Sequence, residues 1–190
     1  MEVIPNPPEQ TPVRKLSSLK RVIRYSVGVA ASIILVAGAL FAFNFYRLSS
    51  AKVYTGHYQP YELGTTRTVE SDENIFEKEY REKNFKGMTV VKENAVTPRD
   101  QFLVALAYME LRDYPSAIEH FRKLIGRKPV TGMNMMKEES EYYLALAYIR
   151  NKDFDLALEL LHSIHDNPDH LYNKKVTSKL IRQVKLLKWR

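Results

Sequence analysis

Apolar residues are arranged along this chain in three ways. From Tyr25 to Tyr46 they run together with no charged residue between Arg24 and Arg47. Further on they return at helical spacing, as Phe102, Leu103, Leu106, Met109 and then Ala117, Ile118, Phe121, Leu124. The same rhythm comes back as Tyr142, Tyr143, Leu146, Ile149 and then Ala157, Leu158, Leu161, Ile164. An uninterrupted run of that length, at about 1.5 Å per residue, matches a hydrocarbon core of about 30 Å and predicts a transmembrane helix over 25–46. The stripes at i, i+1, i+4 and i+7 predict amphipathic helices, each pair broken by a short polar turn.

The turns carry their own signal. Asp113-Tyr114 and Asp153-Phe154 put a helix-capping acid before an aromatic that can wedge between two helices, and Asn84-Phe85 repeats the pair. Asn84 follows Ile75–Lys83, a predicted helix, and precedes the apolar stretch Phe85–Val91, so a third, degenerate hairpin opens the domain. Thr97-Pro98-Arg99-Asp100 reads as an N-cap, a first-turn proline and a capping-box acid, and Gly126, followed by Pro129, reads as the stop.

Residues 105–125 and 145–165 align as ALAYMELRDYPSAIEHFRKLI and ALAYIRNKDFDLALELLHSIH, so the hairpin is an internal repeat. Ala105, Tyr108, Ala117, Phe121 and Pro129 follow the tetratricopeptide repeat (TPR) pattern; Ala145, Tyr148 and Ala157 follow it again, with Leu161 in place of the aromatic. The opening Trp is absent from both copies, and Val130–Glu139 holds an insertion. Over these residues the chain resembles the TPR family, and its layout resembles membrane-anchored bacterial TPR proteins, ancillary translocon subunits among them. The expected fold is all-α: one N-terminal transmembrane helix, then a short TPR-like α-solenoid of two clear hairpins and one degenerate one, closed by a capping helix. The expected domains are a disordered cytoplasmic tail over 1–24, the membrane helix over 25–46, an aromatic connector over 47–69 and the repeat domain over 70–190.

Charge refines this layout. The chain carries +7, but 1–24 hold five basic and two acidic residues and 171–190 seven basic and none acidic, which leaves 53–170 with 15 basic against 20 acidic. A mildly acidic main domain argues against a nucleic-acid surface. Arg14, Lys15, Lys20, Arg21 and Arg24 before the span, against Arg47 and Lys52 after it, put the N-terminus in the cytoplasm and the repeat domain beyond the inner membrane. The rival reading is a signal peptide cleaved near Ser49-Ser50-Ala51, for which the apolar core is long. Gly28, Ser32, Gly38 and Ala42 form two small-xxx-small pairs, a potential homo-oligomer face or the ordinary small-residue content of a membrane helix.

No phosphate loop, nucleophile elbow or metalloprotease helix occurs, and no cofactor or enzyme activity is expected. Zero cysteine excludes disulfides and zinc–thiolate sites. His162, His165, Asp166, Asp169 and His170 cluster without the spacing of an established metal site and read as an inter-repeat loop. The family resemblance implies a concave protein- or peptide-binding groove. Its positions transfer to Phe102, Leu106 and Met109 in one repeat and Tyr142, Leu146 and Ile149 in the next, with Tyr80, Arg81, Arg99 and Arg150 at the edges. That groove is either open to a partner or filled by a further helix of the same chain. Tyr54, Tyr58 and Tyr61 pack on the first hairpin or sit at the lipid interface. The C-terminal face of Tyr172, Val176, Leu180, Val184 and Leu187 either caps the last repeat or lies on anionic lipid. The expected function is a membrane-anchored protein-interaction module, a scaffold or adaptor that is chaperone-like or an ancillary part of an envelope or translocon complex; the alternative is a transmembrane regulator signalling through its short cytoplasmic tail to a transcription or stress factor.

Overall fold

A computed structural model of the chain describes residues 17–64, 74–127 and 136–190, and among the described residues every regular element is a helix. The chain divides into two compact units, Met1–Arg47 and Leu48–Arg190. Among the described residues the first holds one helix, α1, Ser17–Arg47. Its stretch Val29–Arg47 has a mean hydropathy of 2.0 and is long and apolar enough to cross a membrane. Helix starts at Ser17, which corrects the expectation of disorder for 17–24; beyond Pro12 no proline interrupts a run of Leu, Lys, Arg and Ile, all of which tolerate helix well. Residues 1–16 of the expected tail lie outside the described residues.

The second unit begins with a short helix, α2 (Ser50–His57), capped by Ser49, and an extended stretch to Gly64. Three hairpins follow: α3 (Ile75–Arg81) with α4 (Phe85–Val90), α5 (Pro98–Glu110) with α6 (Tyr114–Ile125), and α7 (Lys137–Asn151) with α8 (Phe154–Asp166). Helix α9 (Ser178–Lys188) closes the array.

The three hairpins turn in the same way. Lys83, Arg112 and Lys152 adopt left-handed backbone (φ 59°, 62° and 72°), each directly before the Asn or Asp seen in the sequence. In each turn the next amide reaches back five residues: Asn84 N to Glu79 O at 2.8 Å, and Asp113 N to Tyr108 O and Asp153 N to Tyr148 O at 2.9 Å. The left-handed residue's own amide bonds three back, to Tyr80, Met109 and Ile149. Together these are the paired bonds of a Schellman ending, and they absorb carbonyls that the helix end would otherwise leave unpaired. The shared geometry puts α3–α4 in the same structural class as its neighbours, although its sequence matches them only at the turn.

The capping acids divide. Asp113 accepts from Ser116 N and Asn84 from Gly87 N, but Asp153 makes no such bond and instead accepts from the Asn151 side chain at 2.6 Å. Thr97 and Asp100 form the full capping box, and buried Asp100 also accepts from Asn74, the N-cap of α3, at 2.7 Å, tying the first hairpin to the second. Gly126 ends α6 with φ −76°, so its place there does not depend on left-handed backbone.

Ala105, Ala117, Ala145 and Ala157 are fully buried, as close helix crossings require, with Phe121 and Leu161 beside them. The hairpins stack through α6 on α7, and α9 lays Leu180, Ile181, Val184 and Leu187 onto α8. Before α9, the Asn173 amide donates to the carbonyls of Ile164, His165 and Asn167 at 2.8–3.1 Å and so caps the C-terminal end of α8. Between lipid and last repeat, the apolar face of α9 goes to the repeat.

Candidate functional site: the inner face of the array

The first helix of each hairpin, α3, α5 and α7, lines one side of the array. Phe102, Leu106 and Leu146, with Met109, Ile149, Tyr142 and Tyr80, are all buried there. The chain's own stretch from Leu48 to Gly64 lies against this face, from Arg190 at one end to Phe102 at the other. At its start Leu48 O accepts from the Arg190 guanidinium at 2.7 Å. Val53 and Tyr54 are buried as α2 packs on α7 and α9. Tyr142 Oη then donates to His57 O and Tyr143 Oη to Gln59 O, both at 2.8 Å, and Lys175 Nζ donates to Gln59 Oε1 at 3.2 Å. Tyr58 donates to Glu110. Tyr61 ends the crossing edge-on to Phe102, with ring centroids 5.0 Å apart.

Of the two arrangements the sequence left open, the array has the second: a helix and strand-like segment of the same chain occupies the groove. The seven apolar groove positions are therefore interior, not an open floor. The cationic edge positions are engaged as well. Arg99 pairs with Glu77, the Arg150 guanidinium lies 5.3 Å from the Tyr114 ring centroid, and Arg81, exposed at the end of α3, also has interactions of its own.

The filling is largely aromatic. Tyr54 stacks on Tyr58 (4.9 Å) and meets Tyr114 edge-on (5.7 Å), Tyr58 meets Tyr143 (5.9 Å), and Tyr142 stacks on Tyr172 (4.4 Å) under the Lys175 ammonium. Such offset and edge-on pairs add to what burial alone contributes. Burial also holds the phenols protonated. Tyr80 and Tyr142 are pushed up to about 12, and Tyr54, Tyr58, Tyr143 and Tyr172 higher still. For Tyr58 the hydrogen bond to Glu110 acts in the same direction after burial. Gln59, Pro60, Tyr61 and Glu62 on one side and Tyr143, Tyr172 and Lys175 on the other leave a cleft of about 650 Å³ along the segment.

Sequence reasoning placed Tyr143, Tyr114 and Tyr172 in helix stripes, a turn and a cap, not at this site, and passed over Glu110. The adjacent pair Tyr142-Tyr143 was the available sign, since two neighbouring positions on a helix face different neighbours and both are aromatic. The histidine cluster is dispersed by the fold. His165 Nδ1 bonds Val176 O at 2.8 Å; buried His170 accepts from Tyr172 N on Nδ1, which leaves Nε2–H to donate to Glu141 at 3.2 Å. No group of three metal-ligating side chains comes together among the described residues.

Searches among curated proteins and among solved structures gave no match to the chain. The family model for the tetratricopeptide repeat matches residues 101–129 and 139–170, the stretches that hold α5–α6 and α7–α8. The hairpin α3–α4 falls outside both stretches and α9 beyond them, yet the first shares the turn geometry and the second covers the last repeat. With two matched repeats stacked in one helical array, residues 101–170 carry tetratricopeptide repeats, a fold whose general use is the binding of other proteins.

Proposed function

We propose that this protein is a single-pass, membrane-anchored interaction module, with its repeat domain on the non-cytoplasmic side and its inner face held by the juxtamembrane segment 48–64 until a partner's extended peptide competes for it. The observation that carries this reading is the pair of bonds from Tyr142 and Tyr143 to the main-chain carbonyls of His57 and Gln59. Bonds to main chain are indifferent to sequence, so another extended peptide can accept them in the same places. In this reading Phe102, Leu106, Met109, Tyr142, Leu146 and Ile149, edged by Tyr80, Arg81, Arg99 and Arg150, meet a partner only after the segment leaves.

Membrane anchoring rests on α1. Its described large apolar side chains between Val29 and Phe43, from Leu40 at 58% exposed to Leu35 at 74%, face outward all round, whereas the core helix of a water-soluble domain buries at least one face. A helix apolar on every face is stable in lipid. Five basic residues before it and two after it orient it with the N-terminus in the cytoplasm.

Two measurements test the proposal. The chain should stay in the membrane pellet through an alkaline carbonate wash, and a periplasm-active reporter fused after Arg190 should work where a cytoplasmic reporter does not. Release into the supernatant points to cleavage near Ala51. For the groove, a protease site inserted between Gly64 and Asn74 separates segment from array. A labelled peptide of residues 48–64 should then bind the cut protein saturably and the uncut protein hardly at all, and Tyr58→Ala in the peptide should weaken it. A cut, still helical array that ignores the peptide refutes the exchangeable groove.

A further inference from the structure

Trp189, the one tryptophan of the chain, stands 85% exposed at the end of α9. Leu180, Ile181, Val184 and Leu187 of that helix are buried in the array, so this indole is set apart from the packing surface. Seven residues separate it from Arg182, which at 100° per residue puts the two within about 20° of each other on the helix, with Lys185 close by. Lys179, Arg182 and Lys185 are all exposed, and the last twenty residues hold seven basic side chains and no acid. Lys188 faces elsewhere and pairs with Asp155.

The place of this patch is as informative as its chemistry. The Arg190 guanidinium donates to Leu48 O at 2.7 Å, and Leu48 is joined directly to Arg47, the last residue of α1. The C-terminal turn of α9 is therefore tied to the first residue of its own unit, one peptide bond after the last residue of α1. An indole and a fringe of arginine and lysine are the groups that settle at the level of lipid headgroups, the ring in the interface and the cations on phosphate.

We propose that the exposed end of α9 is a lipid-headgroup site: Trp189 enters the interface, and Arg182 and Lys185 engage anionic phospholipid. This rests on the membrane-anchored reading of α1. It does not require α9 to lie flat on the bilayer, because the apolar face of the helix stays on the last repeat.

The single tryptophan reports on itself. The full chain is reconstituted in nanodiscs of zwitterionic lipid with or without phosphatidylglycerol, and Trp189 emission is followed. In anionic discs we expect a blue shift and quenching by brominated lipid, both reduced several-fold by R182E/K185E and by 1 M salt, where the screening length falls to about 3 Å. Emission typical of water in anionic discs overturns the proposal. So does a shift of equal size in zwitterionic discs that salt and charge reversal leave alone. A chain that washes out of membranes defeats the anchor reading instead, and the same emission with added anionic vesicles then decides the headgroup site by the same criteria.

Discussion

Tyr58 donates its phenolic hydroxyl to the carboxylate of Glu110, 52 residues further along, and so fastens segment 48–64 to the C-terminal end of α5. Both partners are partly buried, and a hydrogen bond to a charged acceptor in that setting is worth more than one at the surface. Tyr58→Phe should cost about 1–3 kcal/mol, because it leaves Glu110 partly desolvated without its donor. Tyr58→Phe with Glu110→Gln should cost less than the two single changes added together. Urea melts of the four members of that cycle measure the coupling; strict additivity would mean that the bond does not hold the segment.

Phe102 and Tyr142 are interior side chains once the segment is in place, 0% and 2% exposed. Phe102→Ala should therefore destabilise the domain by about 3–5 kcal/mol, the range for removing a buried aromatic, and Tyr142→Ala should also remove the bond to His57 O. Thermal unfolding followed by circular dichroism gives the answer. Unchanged melting for both would require an open groove in which these rings touch only a partner.

The hairpins were legible in the sequence because their information is local. Apolar residues at helical spacing, Thr97 three residues before Asp100, and an acid or amide before an aromatic each act within one or two turns of chain. The occupied groove was not legible. Segment 48–64 shows three tyrosines and no apolar stripe. Its holding contacts reach Glu110, Tyr142 and Tyr143 across 52 to 85 residues, and two of them end on main-chain carbonyls, which have no residue signature. The left-handed turn residues were hidden for a related reason: glycine would have marked them, but Lys83, Arg112 and Lys152 stand there.

Those turn residues lead to a stabilising change. Left-handed backbone costs a residue with a Cβ roughly 1–2 kcal/mol, and glycine escapes that cost while losing more freedom on folding. Lys152, at φ 72° and exposed, should gain about 0.5–1 kcal/mol on substitution by Gly, whereas Lys152→Ala keeps the unfavourable conformation. Equal melting of the Gly and Ala variants would show that the turn relaxes at no cost.

Ala117 and Ala157 occupy equivalent positions in α6 and α8 and are both fully buried. Ala→Leu at either should overpack a crossing that a methyl group already fills and cost about 1–3 kcal/mol. Lower melting temperatures for both variants are the expected result. Unaffected melting would mean that the helices have room to separate.

Alkaline pH tests the aromatic filling as a whole. Tyr54, Tyr58, Tyr143 and Tyr172 keep their protons well above the ordinary tyrosine value, and Tyr80 and Tyr142 up to about 12, chiefly because burial penalises the phenolate. A folded-state pKa above the unfolded value means that the unfolded chain loses protons first as pH climbs. The associated stability is therefore fully present below about pH 10 and is lost as pH rises through the folded values. The urea midpoint should stay level up to that point and fall steeply beyond it. Absorbance at 295 nm should show the more exposed of the twelve tyrosines ionising first, and the segment's partners only together with loss of helical signal. If all the tyrosines instead titrate smoothly near pH 10 while the helices persist, segment 48–64 is not packed into the array.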